Sequence, residues 1–215
     1  MFRSSLDTNI LERSIFSGFV ISILLVFIGF SRDCDNISKS ILRLHIIANS
    51  NNEEDQNLKL KIRDKILEES SNYFSESVND LVSAEKAIEN NISNLKNSIE
   101  IEVLRHGFDQ SVKIEIKNMY FNTCKYNDII LPAGFYDAIR ITLGKGSGRN
   151  WFCVMFPAIC ISFSSQKSNM ESILTFKELN IVKNKGRFKI KFKIIEIFIS
   201  IKTWIVNVLS STIYL

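Results

Sequence analysis

The stretch LRLHIIANSNNEEDQNLKLKIRDKIL, Leu42 to Leu67, constrains the fold more than any other part of the chain. Ile41 to Ala48 reads as a strand. Ile41, Leu42, Leu44, Ile46 and Ile47 are apolar, and Arg43 and His45 interleave with them. Both faces are therefore partly covered, as in a central strand under helices. The strand then stops in a run of capping residues. Ser50, Asn51 and Asn52 are each candidate N-caps, and Glu53, Glu54 and Asp55 fill the first turn, where negative charge meets the positive end of the helix dipole. Leu58, Ile62 and Ile66 recur at helical spacing among Lys59, Lys61, Arg63 and Lys65. Asp55 and Lys59, four apart, are expected to form a surface pair worth little.

Downstream, a break at Asn79-Asp80 precedes a second helix over Leu81 to Arg105, with the stripe Ile88, Ile92, Leu95, Ile99 and Val103. His106-Gly107 ends it, glycine supplying the left-handed cap. Ser111 to Asn118 alternates Val112, Ile114 and Ile116 against Lys113, Glu115 and Lys117, a strand with one wet face. Ile129 to Leu131 forms a short strand. Phe135 to Leu143 forms a longer one, with Tyr136, Ala138, Arg140 and Thr142 on one face. A glycine-rich turn, Gly144 to Gly148, leads into a strand over Trp151 to Phe156. The order β-α-α-β-β-β implies an α+β fold: a two-layer domain, two long helices on one face of a largely antiparallel sheet.

The two ends differ from this middle. Ile15 to Phe30 is apolar and uncharged, close to the minimum length of a membrane-spanning helix. Arg3 and Arg13 precede it against Asp7 and Glu12, which with the amino terminus favours an inside N-terminus and export of the rest. Gly29-Phe30-Ser31 also fits a signal-peptide cleavage site, so residues 1–35 are a signal peptide or a membrane anchor. The charged residues before Cys34 do not form a lipobox. Residues 36–165 make the α+β domain. Residues 166–215 form a basic, apolar C-terminal segment. Six basic residues and no acid lie between Ile181 and Ile195. Lys189, Lys193, Glu196, Ser200, Thr203, Asn207 and Ser210 make one polar stripe on a helix. The wide apolar remainder requires burial in the core, in a partner or at a membrane surface.

Little in the chain is arranged for chemistry. There are two histidines, so any triad must use His45 or His106. His45 with Ser50 and an acid is the one conceivable hydrolase set, without a nucleophile elbow. His106, at a helix end, reads as a dipole partner or a solvated group. The turn GKGSGRN lacks the following helix of a phosphate loop. The four cysteines, Cys34, Cys124, Cys153 and Cys160, show no zinc spacing, and no metal or cofactor is expected. Cys153 and Cys160 are spaced to bridge across the turn at Pro157, with two buried thiols as the equal alternative. A net charge of +4 without a basic stripe interleaved with aromatics argues against a nucleic-acid partner.

Two separated blocks, LRLHIIANSNNEEDQNLKLKIRD and LPAGFYDAIRITLGKGSGRNWFCVMFPAIC, resemble the signatures of the stage II sporulation protein R family of endospore-forming bacteria. The first carries R-L-H-x-I-A-N-S and E-D-Q-x-L-K-L-K-x-R-D. The second carries P-A-G-x-Y-x-A-x-R, a glycine-rich turn and N-W-x-C-V-x-F-P-x-x-C. Asn51 stands where Asp is expected, and Phe152 where a second Trp is expected. The basic, apolar tail is longer than the family pattern.

The resemblance implies a sporulation signalling protein and not an enzyme. It would be exported from the forespore into the space between the two membranes. There it would activate a membrane-embedded aspartic protease of the mother cell that processes pro-sigma-E. The partner-binding residues it suggests are Asn49, Ser50, Arg63, Arg140, Asn150 and Trp151, with no catalytic or metal-binding residue. Membrane contact is expected through the N-terminal segment and, by the second reading of the tail, through the C-terminal helix. An exported hydrolase acting on the cell wall between the membranes is the alternative, and a membrane-surface structural protein a third.

Overall fold

The computed structural model describes residues 3–74, 78–126, 129–157, 170–183 and 188–213. A long helix, α1 (Arg3–Ser38), leads into strand β1 (Leu42–Ile47), and then α2 (Glu53–Tyr73) and α3 (Leu81–Arg105). Strands β2 (Val112–Phe121), β3 (Cys124–Tyr126), β4 (Ile129–Leu131), β5 (Gly134–Leu143) and β6 (Asn150–Phe156) follow, then helices α4 (Met170–Ile173), α5 (Phe176–Lys183) and α6 (Lys189–Ile213). The α+β class and the passage from one strand through two long helices to a run of strands are those read from the sequence.

Local chemistry sets the helix boundaries. Asn52 is the N-cap of α2, its side chain accepting from the Asp55 amide. Asp80 caps α3 in a reciprocal capping box with Ser83. Gly107, at φ 79°, takes the left-handed position after α3.

The main sheet has the order β2-β5-β1-β6. β1 is central, parallel to β5 and antiparallel to β6, and β2 pairs antiparallel with β5 at the edge. β3 and β4 form a separate hairpin. One face of the sheet carries Leu42, Leu44 and Ile46 of β1 with Ile139, Ile141 and Leu143 of β5. Against them pack Leu58, Ile62 and Ile66 of α2, and Ile88, Leu95, Ile99 and Val103 of α3. Each such buried aliphatic side chain stabilises the fold by about 1.5–3 kcal/mol. A register shift at Leu42/Arg43 sends Met155 and Phe156 of β6 both into this core.

The opposite face is covered too, and this second core extends the arrangement beyond the two layers expected. Phe30, Cys34 and Ile37 from the end of α1 join Tyr136, Ala138 and Val154 of the sheet, Leu131 of β4, Ile181 and Val182 of α5, and Phe192 and Ile195 of α6. Phe30, Cys34, Ile37 and Ile41 recur every three or four residues, so the apolar stripe of α1 runs without a break from the leader into the domain. By contrast, α1 residues from Ile10 to Ile28 expose almost all their apolar side chains, and Ile10–Ser38 is long and apolar enough to cross a membrane.

Arg43 explains how a charge sits in the central strand. It is fully buried. Its Nη2 donates to the Tyr126 hydroxyl. Its guanidinium lies 4.0 Å from the Phe121 ring centroid and 5.0 Å from that of Tyr136. Its Nε and Nη1 find no hydrogen-bond partner among the described residues. Aromatic faces thus replace a carboxylate as its counter-charge.

Candidate interaction site

The two sequence blocks meet at the end of β1. Asn49 is the hinge of this knot. Its Oδ1 accepts from the Lys145 amide at 2.9 Å, and its backbone carbonyl accepts from the Ser147 hydroxyl at 2.6 Å. Asn51 Oδ1 accepts from the Arg149 amide at 2.8 Å. The Gly148 amide donates to Ala48 O at 2.9 Å. An aspartate at position 51 would accept the same bond, so the departure at Asn51 costs nothing here. Gly148 is required by contact: a Cβ there would lie 2.1 Å from Ser50 O. Gly144 combines φ +54° with a Cβ position 2.3 Å from Asn49 Oδ1.

Asp55 is the buried centre of the knot. Its Oδ2 accepts from Ser50 Oγ at 2.6 Å and Asn49 Nδ2 at 2.9 Å, and its Oδ1 accepts from Gln110 Nε2 at 2.5 Å. Burial pushes this carboxyl up, but the hydrogen bonds from Ser50, Gln110 and Asn49 outweigh it and hold it below its ordinary value. The surface pair expected between Asp55 and Lys59 is not formed: both side chains are buried, and each is held by other partners. Lys59 Nζ donates instead to the Arg149 carbonyl at 2.9 Å and to Gln56 Oε1 at 2.7 Å, and burial lowers its pKa. Sequence reasoning leaves Gln110 unremarked, and reads Asn51 as a candidate cap and motif position and Asp55 and Lys59 as a surface pair, without placing any of them in the site. The signal present was the packing of capping residues between Asn49 and Asp55 opposite a turn with three glycines.

The six expected contact residues surround this knot but fall into three groups. Asn49 and Ser50 lie within it, half-buried. Arg63 and Trp151 sit on the α2 side of the sheet, the guanidinium 5.4 Å from the indole centroid, both half-buried. Arg140 and Asn150 lie on the other side. Arg140 Nη1 is 3.5 Å from Glu115 Oε1, and the exposed Asn150 bonds His45 Nε2 through Oδ1 at 3.0 Å.

His45 and Ser50 do not come together. Ser50 gives its hydroxyl hydrogen to Asp55, while His45 is buried against Phe152, 4.7 Å between ring centroids. Burial lowers the pKa of His45, the Arg140 and Arg43 charges lower it further, and the Asn150 bond opposes them. The imidazole is therefore neutral at pH 7. His106 is exposed at the end of α3 and bonds Glu102 at 3.0 Å. Cys153 is disulfide-bonded, and Cys34 and Cys124 are free thiols. Cys160, the expected partner of Cys153, lies outside the described residues. Among the described residues no cluster of three or more His, Cys, Asp or Glu is placed to hold a metal.

The knot, then, is a structural clasp presenting side chains at a sheet end. The family model described as stage II sporulation protein R matches residues 38–166, from the end of α1 past β6. A protein named stage II sporulation protein R from Bacillus subtilis (strain 168) is 34% identical over 136 residues, which is 63% of this chain and 60% of that protein. No solved structure matches. The chain belongs to the stage II sporulation protein R family and has a role in sporulation. The N-terminal apolar helix fits a signal peptide or membrane anchor.

Proposed function

We propose that this protein is the forespore's exported signal, which activates the mother-cell membrane aspartic protease that processes pro-sigma-E. The observation that carries the reading is the knot. Two blocks are tied into one sheet end by hydrogen bonds that span 96 to 98 residues. That end displays the stacked Arg63–Trp151 pair and, across the sheet, Arg140 and Asn150. Tryptophan and arginine beside a pre-organised scaffold are what a protein-binding surface uses for most of its affinity. A signal of this kind activates its receptor only by binding the active arrangement better than the inactive one.

The test is co-expression in a non-sporulating host of this protein, the membrane protease and pro-sigma-E. Pro-sequence removal is followed on a gel, with α1 intact and with α1 replaced so that export fails. Cleavage that needs both this protein and its export is the expected result. Absence of cleavage with the protein exported and folded would sink the proposal.

A further inference from the structure

The segment beyond the family match contains α6, which is apolar on two opposite faces. Phe192, Ile195 and Ile199 recur at helical spacing and pack into the second core. Ile190, Ile194, Ile197, Ile201 and Trp204 form another stripe, displaced by about 200° at 100° per residue. This second stripe is exposed, Trp204 at 65%. So α6 is held to the domain by one face and leaves the other without cover.

Its position relative to α1 says what covers it. Phe188 and Phe192 meet Phe30, and Phe198 meets Phe27 edge-on at 5.5 Å between centroids. Further along, Thr203 and Val206 line a cleft with Ser31, Asp35 and Ser38. Among the described residues the contacts of α6 with α1 thus fall at Phe27 or later, at the foot of the long apolar stretch. Past Phe198, the described neighbours of α6 across this cleft are Ser31, Asp35 and Ser38 of α1 with Asn118, Phe135 and Asp137 of the sheet, and none lies along Ile10–Val26. A second spanning helix would run beside the first. This one meets, among the described residues, the foot of α1 from Phe27 onward and not the apolar stretch before it. Lys191, placed 5.2 Å from the Phe30 ring, and the exposed Lys193 flank the stripe at that level.

We infer that α6 lies in the plane of the membrane interface, its Ile190–Trp204 stripe in the acyl boundary and its lysines among anionic headgroups, at the foot of a spanning α1. A helix with one exposed apolar face, basic flanks and a neighbouring bilayer anchor meets the requirements for such a seat. Continuity with α1 selects lipid over a protein partner as the occupant. The seat also orients the domain. The second core lies between sheet and bilayer, so α2, α3 and the Arg63–Trp151 pair face away from this membrane.

The test uses the full-length protein and its Trp204→Phe variant, each reconstituted in phosphatidylethanolamine–phosphatidylglycerol vesicles. Phospholipids brominated near the carbonyl end or near the methyl end of the acyl chain serve as quenchers. The wild-type minus variant signal isolates Trp204. An in-plane helix buried about 5–10 Å deep predicts quenching of Trp204 at least about twofold stronger by the shallow bromines. Stronger quenching by the deep bromines would make α6 a spanning helix and overturn the inference. No quenching, with Trp204 open to acrylamide, would assign the stripe to a protein partner or to water and overturn it equally. A tryptophan placed by Phe19→Trp in the Trp204→Phe background reports α1 independently, and the deep bromines should quench it. Loss of both signals overturns the anchor together with the seat, and loss of the Trp204 signal alone overturns only the seat. The protease reading can fail in its own assay without altering any of these outcomes.

Discussion

Replacing Asp55 by alanine removes the buried group on which Ser50, Asn49 and Gln110 converge. Three side-chain hydrogen bonds end on its carboxylate, from Ser50, Asn49 and Gln110. A hydrogen bond to a charged group contributes about 1.5–3 kcal/mol, which sets a ceiling near 4.5–9 kcal/mol for three. The ceiling is not reached, because Ser50, Asn49 and Gln110 are only half-buried and water replaces part of what they lose. About 3 kcal/mol is the expected cost. With a urea slope of about 2 kcal/mol/M, the midpoint falls by about 1.5 M. Pulse proteolysis of the full-length protein in detergent across a urea series reads this directly.

The pH dependence supplies a second arm of the same experiment. The Asp55 pKa is depressed on folding, so its contribution is fully present above its ordinary value of 3.8 and is lost as pH falls below that value toward the folded pKa. The wild-type midpoint should therefore drop on acidification below pH 3.8, and the Asp55→Asn midpoint should drop less. A shift below about 0.3 M for Asp55→Ala, or equal acid profiles for wild type and Asp55→Asn, would show that the knot is decoration on a fold held elsewhere.

Four further outcomes are expected. Gly148→Ala, forced against Ser50 O, should cost about 2–4 kcal/mol in the same urea series, a far larger effect than alanine at an open turn. Trp151→Ala should reduce pro-sigma-E processing in the co-expression assay by at least about tenfold and also lower the urea midpoint, because the indole packs on the α2–α3 core, whereas Trp151→Phe, which keeps a ring there, should lose processing with a smaller midpoint shift; Arg140→Ala should reduce processing by less. His45→Gln should flatten the loss of stability as pH falls from 6.5, because the depressed pKa of His45 makes the unfolded state take up its proton first; a thermal melt series at stepped pH measures it. Arg43→Lys, which keeps the charge but loses the flat stack on Phe121, should lower stability by about 1–2 kcal/mol.

The parts of the fold legible in the sequence are those that local chemistry decides. The switch from β1 to α2 and both ends of α3 are written in caps: Asn52, Asp80 and Gly107 each act within a few residues of themselves. Strand β2 was legible to Asn118, where strict alternation stops. Its continuation through Met119, Tyr120 and Phe121 is held by pairing with Tyr136, Phe135 and Gly134 of β5, which no local pattern announces. The second core was legible in principle, since the stripe Phe30, Cys34, Ile37 and Ile41 crosses the boundary between leader and domain. An apolar leader draws attention to its membrane-like centre and hides that continuation. At the site, the residue blocks were legible as motifs, but Asp55 was not. A cluster of three acids at a helix start reads as solvated, and Asp55 is singled out only by Gln110, 55 residues away. The parallel pairing of β1 with β5 was likewise decided over distance, by two helices covering one face.

The placement of β1 has a consequence for the birth of the protein. It is the first strand of the chain and the middle strand of the sheet, yet its neighbours arrive late. His45 pairs with Arg140, about 95 residues on, and hydrogen-bonds to Asn150, 105 residues on. Closing such loops costs chain entropy before any contact repays it, which makes formation of the sheet slow and late. If the chain is exported as proposed, threading N-terminus first would carry β1 across unpaired. The sheet closes only after β6 has followed, so in a chain exported as proposed this topology would delay folding until most of the domain has passed.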